Sequence, residues 1–145
     1  MPTRGRTIQM TLRTTMLTGL AAAAFSIIAA SAALAGEIKP YSQQTFETAQ
    51  KAGAPVVVDI TASWCPTCKA QKPIIDELAA SEALGPVTVF QVDFDDQKDV
   101  VRAFGANMQS TLIAFNGTTE TARSVGDTKP ETIKALFTSS LAKTQ

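Results

Sequence analysis

Short apolar runs alternate with amphipathic stretches along this chain, and the runs set the frame. Pro55 to Ile60 carries Val56-Val57-Val58-Asp59-Ile60, and Val87 to Val92 forms a second run after Gly85-Pro86. β-Branched runs of this length, bounded by Gly and Pro, read as strands covered on both faces. Thr111 to Phe115 is a third strand, and Asn116-Gly117 is a two-residue hairpin signal leading to a fourth near Glu120 to Val125. Glu37 to Tyr41 is a lead-in with the character of an edge-strand fragment.

The helical stretches fall between these runs. Ser42 is an N-cap for a helix that stops at Gly53, with Phe46 and Ala49 on one face. Lys69 to Ala83 reads as a helix with Ile74, Ile75 and Leu78 on its core face and a kinking proline, Pro73, inside it. Asp95 or Asp96 caps a third helix running to Phe104, with Val100 and Val101 apolar, and Gly105 ends it. Pro130 begins the last, with Ile133, Leu136, Phe137 and Leu141 facing one way. Phe46, Phe90, Phe104, Phe115 and Phe137 are core residues on this reading. The order is α-β-α-β-α-β-β-α. Its β-α-β portion requires a right-handed parallel crossover and its hairpin adds antiparallel pairing. An α/β fold follows, with a mixed four-stranded sheet flanked by helices on both faces.

The first 35 residues stand apart from this frame. Arg4, Arg6 and Arg13 form a basic region without acids, an apolar stretch runs from Met16 to Ala30, and Ala33-Leu34-Ala35 is a small-residue cleavage site before Gly36. This is the layout of a secretory signal peptide, which places residues 36–145 outside the cytoplasm as one domain, periplasmic or secreted. The alternative is an uncleaved membrane anchor over Met16 to Ala35. Gly5 separates Arg4 from Arg6, so there is no adjacent twin-arginine pair. The whole chain balances 13 basic against 13 acidic residues; losing those three arginines leaves a net charge of −3. No Lys/Arg cluster suggests nucleic acid or an anionic surface. The chain has no histidine, which excludes His-ligated metal sites and Cys-His or Ser-His catalysis.

The two cysteines sharpen the picture. Cys65 and Cys68 stand in Trp64-Cys65-Pro66-Thr67-Cys68, directly between a strand and a helix. A pair this close gives almost no loop-closure stabilisation, so chemistry explains it better than stapling. At a helix start the free N–H groups and the positive dipole end favour a thiolate. Strand–CxxC–helix is the signature of a thiol–disulfide redox centre. Cys65, at the exposed helix start, is the expected attacking thiolate, and Cys68, one turn in and more buried, the resolving one. Pro66 suits the first helical position, where its missing N–H costs nothing. Asp59 is either a proton shuttle for Cys68, through a water, or a carboxyl capping local backbone. Trp64 either shields the sulfurs or covers the core edge. Asp93, Asp95, Asp96 and Asp99 lack EF-hand spacing and read as a solvated turn and helix cap.

Several of these residues resemble the thioredoxin family, over nearly all of Tyr41 to Leu141. Asp59 stands where thioredoxins keep a buried acid, six residues before Cys65. Trp64, Cys65 and Cys68 match the active-site motif, Pro73 the helix-kinking proline, and Val125-Gly126 the glycine after the final strand. The resemblance implies a thioredoxin fold and dithiol exchange on protein thiols and disulfides. It also implies a monomer without cofactor or resident metal, and a membrane thiol partner for electron transfer. It places substrate against Trp64, Pro66 and Thr67 and along Gln109, Ser110 and Thr111.

Two positions depart from the family. Ser110 occupies the place of the family's cis-proline, and a trans Gln109–Ser110 bond is expected because a non-proline cis bond costs about 3 kcal/mol. Gln91 stands where the family often has a lysine, so Asp59 is expected to lack a cationic partner and to resist ionisation. Pro66-Thr67 resembles the dipeptide of cytochrome c maturation thioredoxins, but their insert and Gly-x-Pro loop are absent. Disulfide-forming oxidants commonly carry histidine where Thr67 stands, which favours a reductant. Soft-metal handling of Cu(I) by the two thiols and a redox-inactive partner or chaperone role remain as alternatives.

Overall fold

A computed structural model describes residues 35–141 of the protein. The expected signal segment and its cleavage motif lie outside the described residues, Ala35 apart. The elements are β1 (Glu37–Pro40), α1 (Gln43–Lys51), β2 (Pro55–Thr61), α2 (Pro66–Ala80), β3 (Thr88–Asp93), α3 (Lys98–Ala103), β4 (Thr111–Asn116), β5 (Thr119–Val125) and α4 (Pro130–Ser139), with a 3-10 turn at Glu82–Leu84. The sheet has five strands in the order β1-β3-β2-β4-β5, not the four expected. The difference is β1, which pairs parallel to β3 from Glu37 opposite Thr88 to Pro40 opposite Gln91. This is the edge-strand fragment expected at Glu37 to Tyr41; its four residues at a half-covered edge carry too little periodicity to have been counted as a strand of the sheet. Gly36 makes the approach possible: a Cβ there would lie 2.1 Å from the Val87 carbonyl oxygen.

β2 is the central strand, parallel to β3 and antiparallel to β4. Its side chains alternate between two cores, as the period of two requires. Val57 packs with Ile75, Leu78, Leu112, Ile133, Leu136 and Phe137 under α2 and α4. Val56, Val58 and Ile60 pack on the other side with Phe46, Phe90, Val101 and Phe115, under α1 and α3. Phe46, Phe90, Phe104 and Phe115 join Tyr41 in a tilted and edge-on ring cluster, with centroids 5.3 to 6.3 Å apart. Phe104 is only half-buried, and the other four phenylalanines of the expected core are buried.

Three local expectations shift. α2 starts at Pro66 rather than Lys69 and ends at Ala80, because Cys65 itself is the N-cap. α3 begins after Gln97, and neither Asp95 nor Asp96 caps it. Asp93 Oδ1 instead accepts the backbone N–H groups of Asp95 and Asp96, forming an Asx-type turn that ends β3. The hairpin loop is Gly117-Thr118, one residue later than Asn116-Gly117, with Gly117 at φ 55°. Glycine at the first loop position is the type II′ solution, which matches strand twist as well as an Asn-Gly type I′ turn does.

Candidate functional site

The site lies where β2 runs into α2 and the segment before β4 passes beneath. Cys65 N–H donates to the Ala62 carbonyl at 3.1 Å, turning the chain back as it leaves β2. Cys65 then caps α2, with Pro66 in the first helical turn, and its Sγ accepts the Cys68 N–H at 3.1 Å. Both thiols are free and both are buried. The expectation of an exposed Cys65 is not met: it is 1% exposed against 5% for Cys68, and both pack with Ala62 and half-buried Phe94. A capping side chain folds back over its own helix start, and that motion takes the sulfur out of solvent.

Ser110 completes the enclosure. Among the described residues no peptide is cis, so the Gln109–Ser110 bond is trans as expected, and Ser110 is the non-glycine residue with positive φ, at 59°. Its Oγ lies 3.1 Å from Cys65 Sγ and 3.3 Å from Cys68 Sγ. Burial pushes the Cys65 thiol up. Hydrogen bonds from the Cys68 thiol, the Ser110 hydroxyl and the backbone N–H groups of Cys68 and Thr67 outweigh it, and the thiol ionises below its ordinary value.

Asp59 sits on the opposite face of β2 from Ile60 and is 4% exposed. Burial raises its pKa from 3.8 to about 6, against the hydrogen bond from Gln91 and the charge of Lys72. Gln91 Nε2 donates to Asp59 Oδ2 at 3.2 Å. The expected lack of a cation is thus corrected in part: Lys72 of α2, itself paired with Asp76 at 2.7 Å, acts on the carboxyl from a distance. Asp59, Cys68, Gln91 and Lys72 line one open cleft of about 330 Å³, so the carboxyl and the inner cysteine border the same space.

The remaining expected site residues divide. Trp64 is 54% exposed, so it does not cover the core edge, and its indole Nε1–H donates to Asp95 Oδ2 at 2.6 Å. Pro66 is exposed, while Thr67 and Gln109 are half-buried. Thr111 is 1% exposed, its backbone lies between Ile60 and Val125, and its hydroxyl donates to the Met108 carbonyl. Thr111 is thus paired along both strand edges, and its hydroxyl braces the preceding loop.

Four residues were missed. Met108 and Val125, exposed by 51% and 52%, are with Trp64 the large apolar side chains left open to solvent among the described residues. Asp95 anchors the indole. Gln71, fully buried on α2, donates through Nε2 to the Asp127 carbonyl at 2.7 Å and the Ser110 carbonyl at 3.4 Å. Only Gln71 left a sequence signal, a polar residue three positions after Cys68 on the same helix face.

The thioredoxin family model matches residues 37–139. A thioredoxin H-type from Fagopyrum esculentum is 33% identical over 93 residues, 64% of this chain and 78% of its own. A thioredoxin from Alicyclobacillus acidocaldarius is 31% identical over 90 residues, 62% of this chain and 85% of its own. The crystal structure of Trxlp from Edwardsiella tarda superposes with a TM-score of 0.68 at 40% identity, covering 70% of this chain and 98% of that one. A family match spanning β1 to α4, with a buried cysteine pair at the start of the helix after the central strand, leaves one conclusion. The chain belongs to the thioredoxin family and is a thioredoxin-like thiol–disulfide oxidoreductase with Cys65 and Cys68 as its CxxC pair.

Proposed function

We propose that the protein is exported and works as a reductant of protein disulfides, with Cys65 attacking, Cys68 resolving and Asp59 taking the proton. The observation that carries the division of roles is the asymmetry of donors. Cys65 Sγ holds the Cys68 N–H at 3.1 Å and lies 3.1 Å from the Ser110 hydroxyl. A sulfur so surrounded ionises first. The Cys65 thiolate displaces one sulfur of a substrate disulfide, which leaves as a thiolate and takes a proton from solvent. Cys68 then loses its proton towards Asp59 through water in the shared cleft and attacks Cys65 Sγ. The substrate's second thiolate departs, and the two electrons of the dithiol have passed to it.

Trp64, Met108 and Val125, exposed apolar side chains, supply apolar contact for substrate, and Pro66, Thr67, Gln109 and Ser110 meet it beside the sulfurs. Because Cys65 is almost fully covered, the Met108–Ser110 segment has to yield as the substrate sulfur approaches. Export is supported by the basic, apolar and small-residue layout of residues 1–35. It is also supported by the start of β1 at Glu37, which lets a chain beginning at Gly36 keep all five strands. Among the described residues no helix is long and apolar enough to cross a membrane. A membrane thiol protein is the electron source this placement calls for. Thr67 in place of histidine favours the reducing direction.

The test is twofold. Cys68→Ser should accumulate mixed disulfides through Cys65, whereas Cys65→Ser should trap none. Equilibration with glutathione should give a potential nearer to roughly −270 mV than to the roughly −120 mV of a strong oxidant. Trapping through Cys68 would reverse the roles, and a potential at the oxidising end would reverse the direction.

A further inference from the structure

Ser110 puts one hydroxyl against two sulfurs. Its Oγ is 3.1 Å from Cys65 Sγ and 3.3 Å from Cys68 Sγ in a residue that is 3% exposed. A hydroxyl has one proton, so it donates to one sulfur at a time, and rotation about the Cβ–Oγ bond is enough to change partner. The backbone beneath it is held in a conformation serine rarely adopts, φ 59°. Two donors fix that conformation through the Ser110 carbonyl: Gly126 N–H at 2.9 Å and Gln71 Nε2 at 3.4 Å. A strained residue held from both sides, with its polar atom on the reacting atoms, is where strain and function coincide. Proline, the family's residue here, has no donor to offer.

We propose that the Ser110 hydroxyl is a movable hydrogen-bond donor that follows the negative charge from Cys65 to Cys68 during disulfide exchange. This rests on the reading of Cys65 as the attacking and Cys68 as the resolving sulfur. In the dithiol the hydroxyl donates to the Cys65 thiolate. When Cys65 forms its bond to the substrate sulfur, that charge leaves with the first substrate thiolate, and the hydroxyl turns to Cys68 Sγ. The proton of Cys68 passes to water and Asp59. The Cys68 thiolate, now carrying the Ser110 donor, attacks Cys65 Sγ as the Cys65–substrate bond breaks and the second substrate thiolate departs. Ser110 neither gains nor loses a proton over the cycle. It lowers the energy of whichever sulfur is charged.

The hydroxyl is removed in two ways, Ser110→Ala and Ser110→Gly. Glycine accepts positive φ without strain and alanine does not, so a purely structural effect separates the two variants. Loss of the donor affects both alike. Mixing each reduced protein with excess dithiobis(nitrobenzoate) releases one coloured thiolate on attack and a second on resolution. Thiolate ultraviolet absorbance gives the acidity of Cys65 independently. A hydrogen bond to a charged group predicts that both variants resolve about tenfold more slowly and that Cys65 becomes about tenfold weaker as an acid. Their exchange equilibrium with glutathione should move about tenfold towards the disulfide, which is about 30 mV more reducing. Resolution within twofold of wild type in the glycine variant would overturn the proposal, as would effects that appear with alanine and vanish with glycine. Cys65→Ser tests the underlying assignment separately, since it should abolish the attack phase whatever stands at position 110.

Discussion

Replacing Asp59 with asparagine isolates the cost of keeping a carboxyl beneath the redox centre. Asp59 is 4% exposed and accepts a hydrogen bond from Gln91 Nε2 at 3.2 Å. Burial is the largest influence on it and carries its pKa from 3.8 to about 6. At 1.36 kcal/mol per tenfold change in affinity, that displacement is worth about 3 kcal/mol. The folded protein binds this proton more tightly than the unfolded chain. The stabilisation is therefore complete below about pH 4, falls as pH rises through about 6, and is lost above about 7. Asparagine does not titrate. The stability gap between Asp59→Asn and wild type should thus move by about 3 kcal/mol in the variant's favour between low and neutral pH. With a urea dependence of about 2 kcal/mol per molar, the difference between the midpoints should change by about 1.5 M across the window. Urea melts from pH 4 to 8 on the dithiol form of both proteins provide the measurement, and other carboxylates cancel in the difference. A gap that stays flat across this range would refute the buried, reluctant carboxyl. The same substitution should remove the rise in resolution rate through about pH 6, because an amide cannot take the Cys68 proton.

Other expectations follow from single contacts. Gln71→Leu leaves the carbonyls of Ser110 and Asp127 without the amide donor, although it also removes the unpaired Gln71 Oε1. The net cost should be about 1–2 kcal/mol by urea melt, and an unchanged midpoint would show that the amide does not latch the loop. Asp95→Ala releases the indole of the single tryptophan, so the emission of Trp64 should change while stability moves by less than about 1 kcal/mol. Unaltered emission would mean that the hydrogen bond is not kept in solution. Mass spectrometry of exported protein should find Gly36 at the N-terminus, and a retained Met1 in a membrane fraction would point to an anchor instead.

Much of this molecule was legible from one dimension because its signals are local. A strand covered on both faces needs an unbroken apolar run, and Val56 to Ile60 is one. An amphipathic helix repeats its apolar positions, as Ile133, Leu136 and Phe137 do. Two cysteines three residues apart at a strand–helix junction announce their chemistry without reference to anything distant. Where the outcome turned on a partner far along the chain, sequence was silent or misleading. β1, read in sequence only as an edge-strand fragment, becomes a fifth strand because β3 offers it an edge and Gly36 lets it come close. Trp64 is oriented by Asp95, 31 residues away, and Asp59 is met by Gln91, 32 residues away. Cys65 looked exposed because a helix start usually is, and became buried when Ser110, 45 residues later, closed over it. The sequence placed a serine where its relatives keep proline. Only the closing of β4 against β2 decided that its hydroxyl would stand between the two sulfurs.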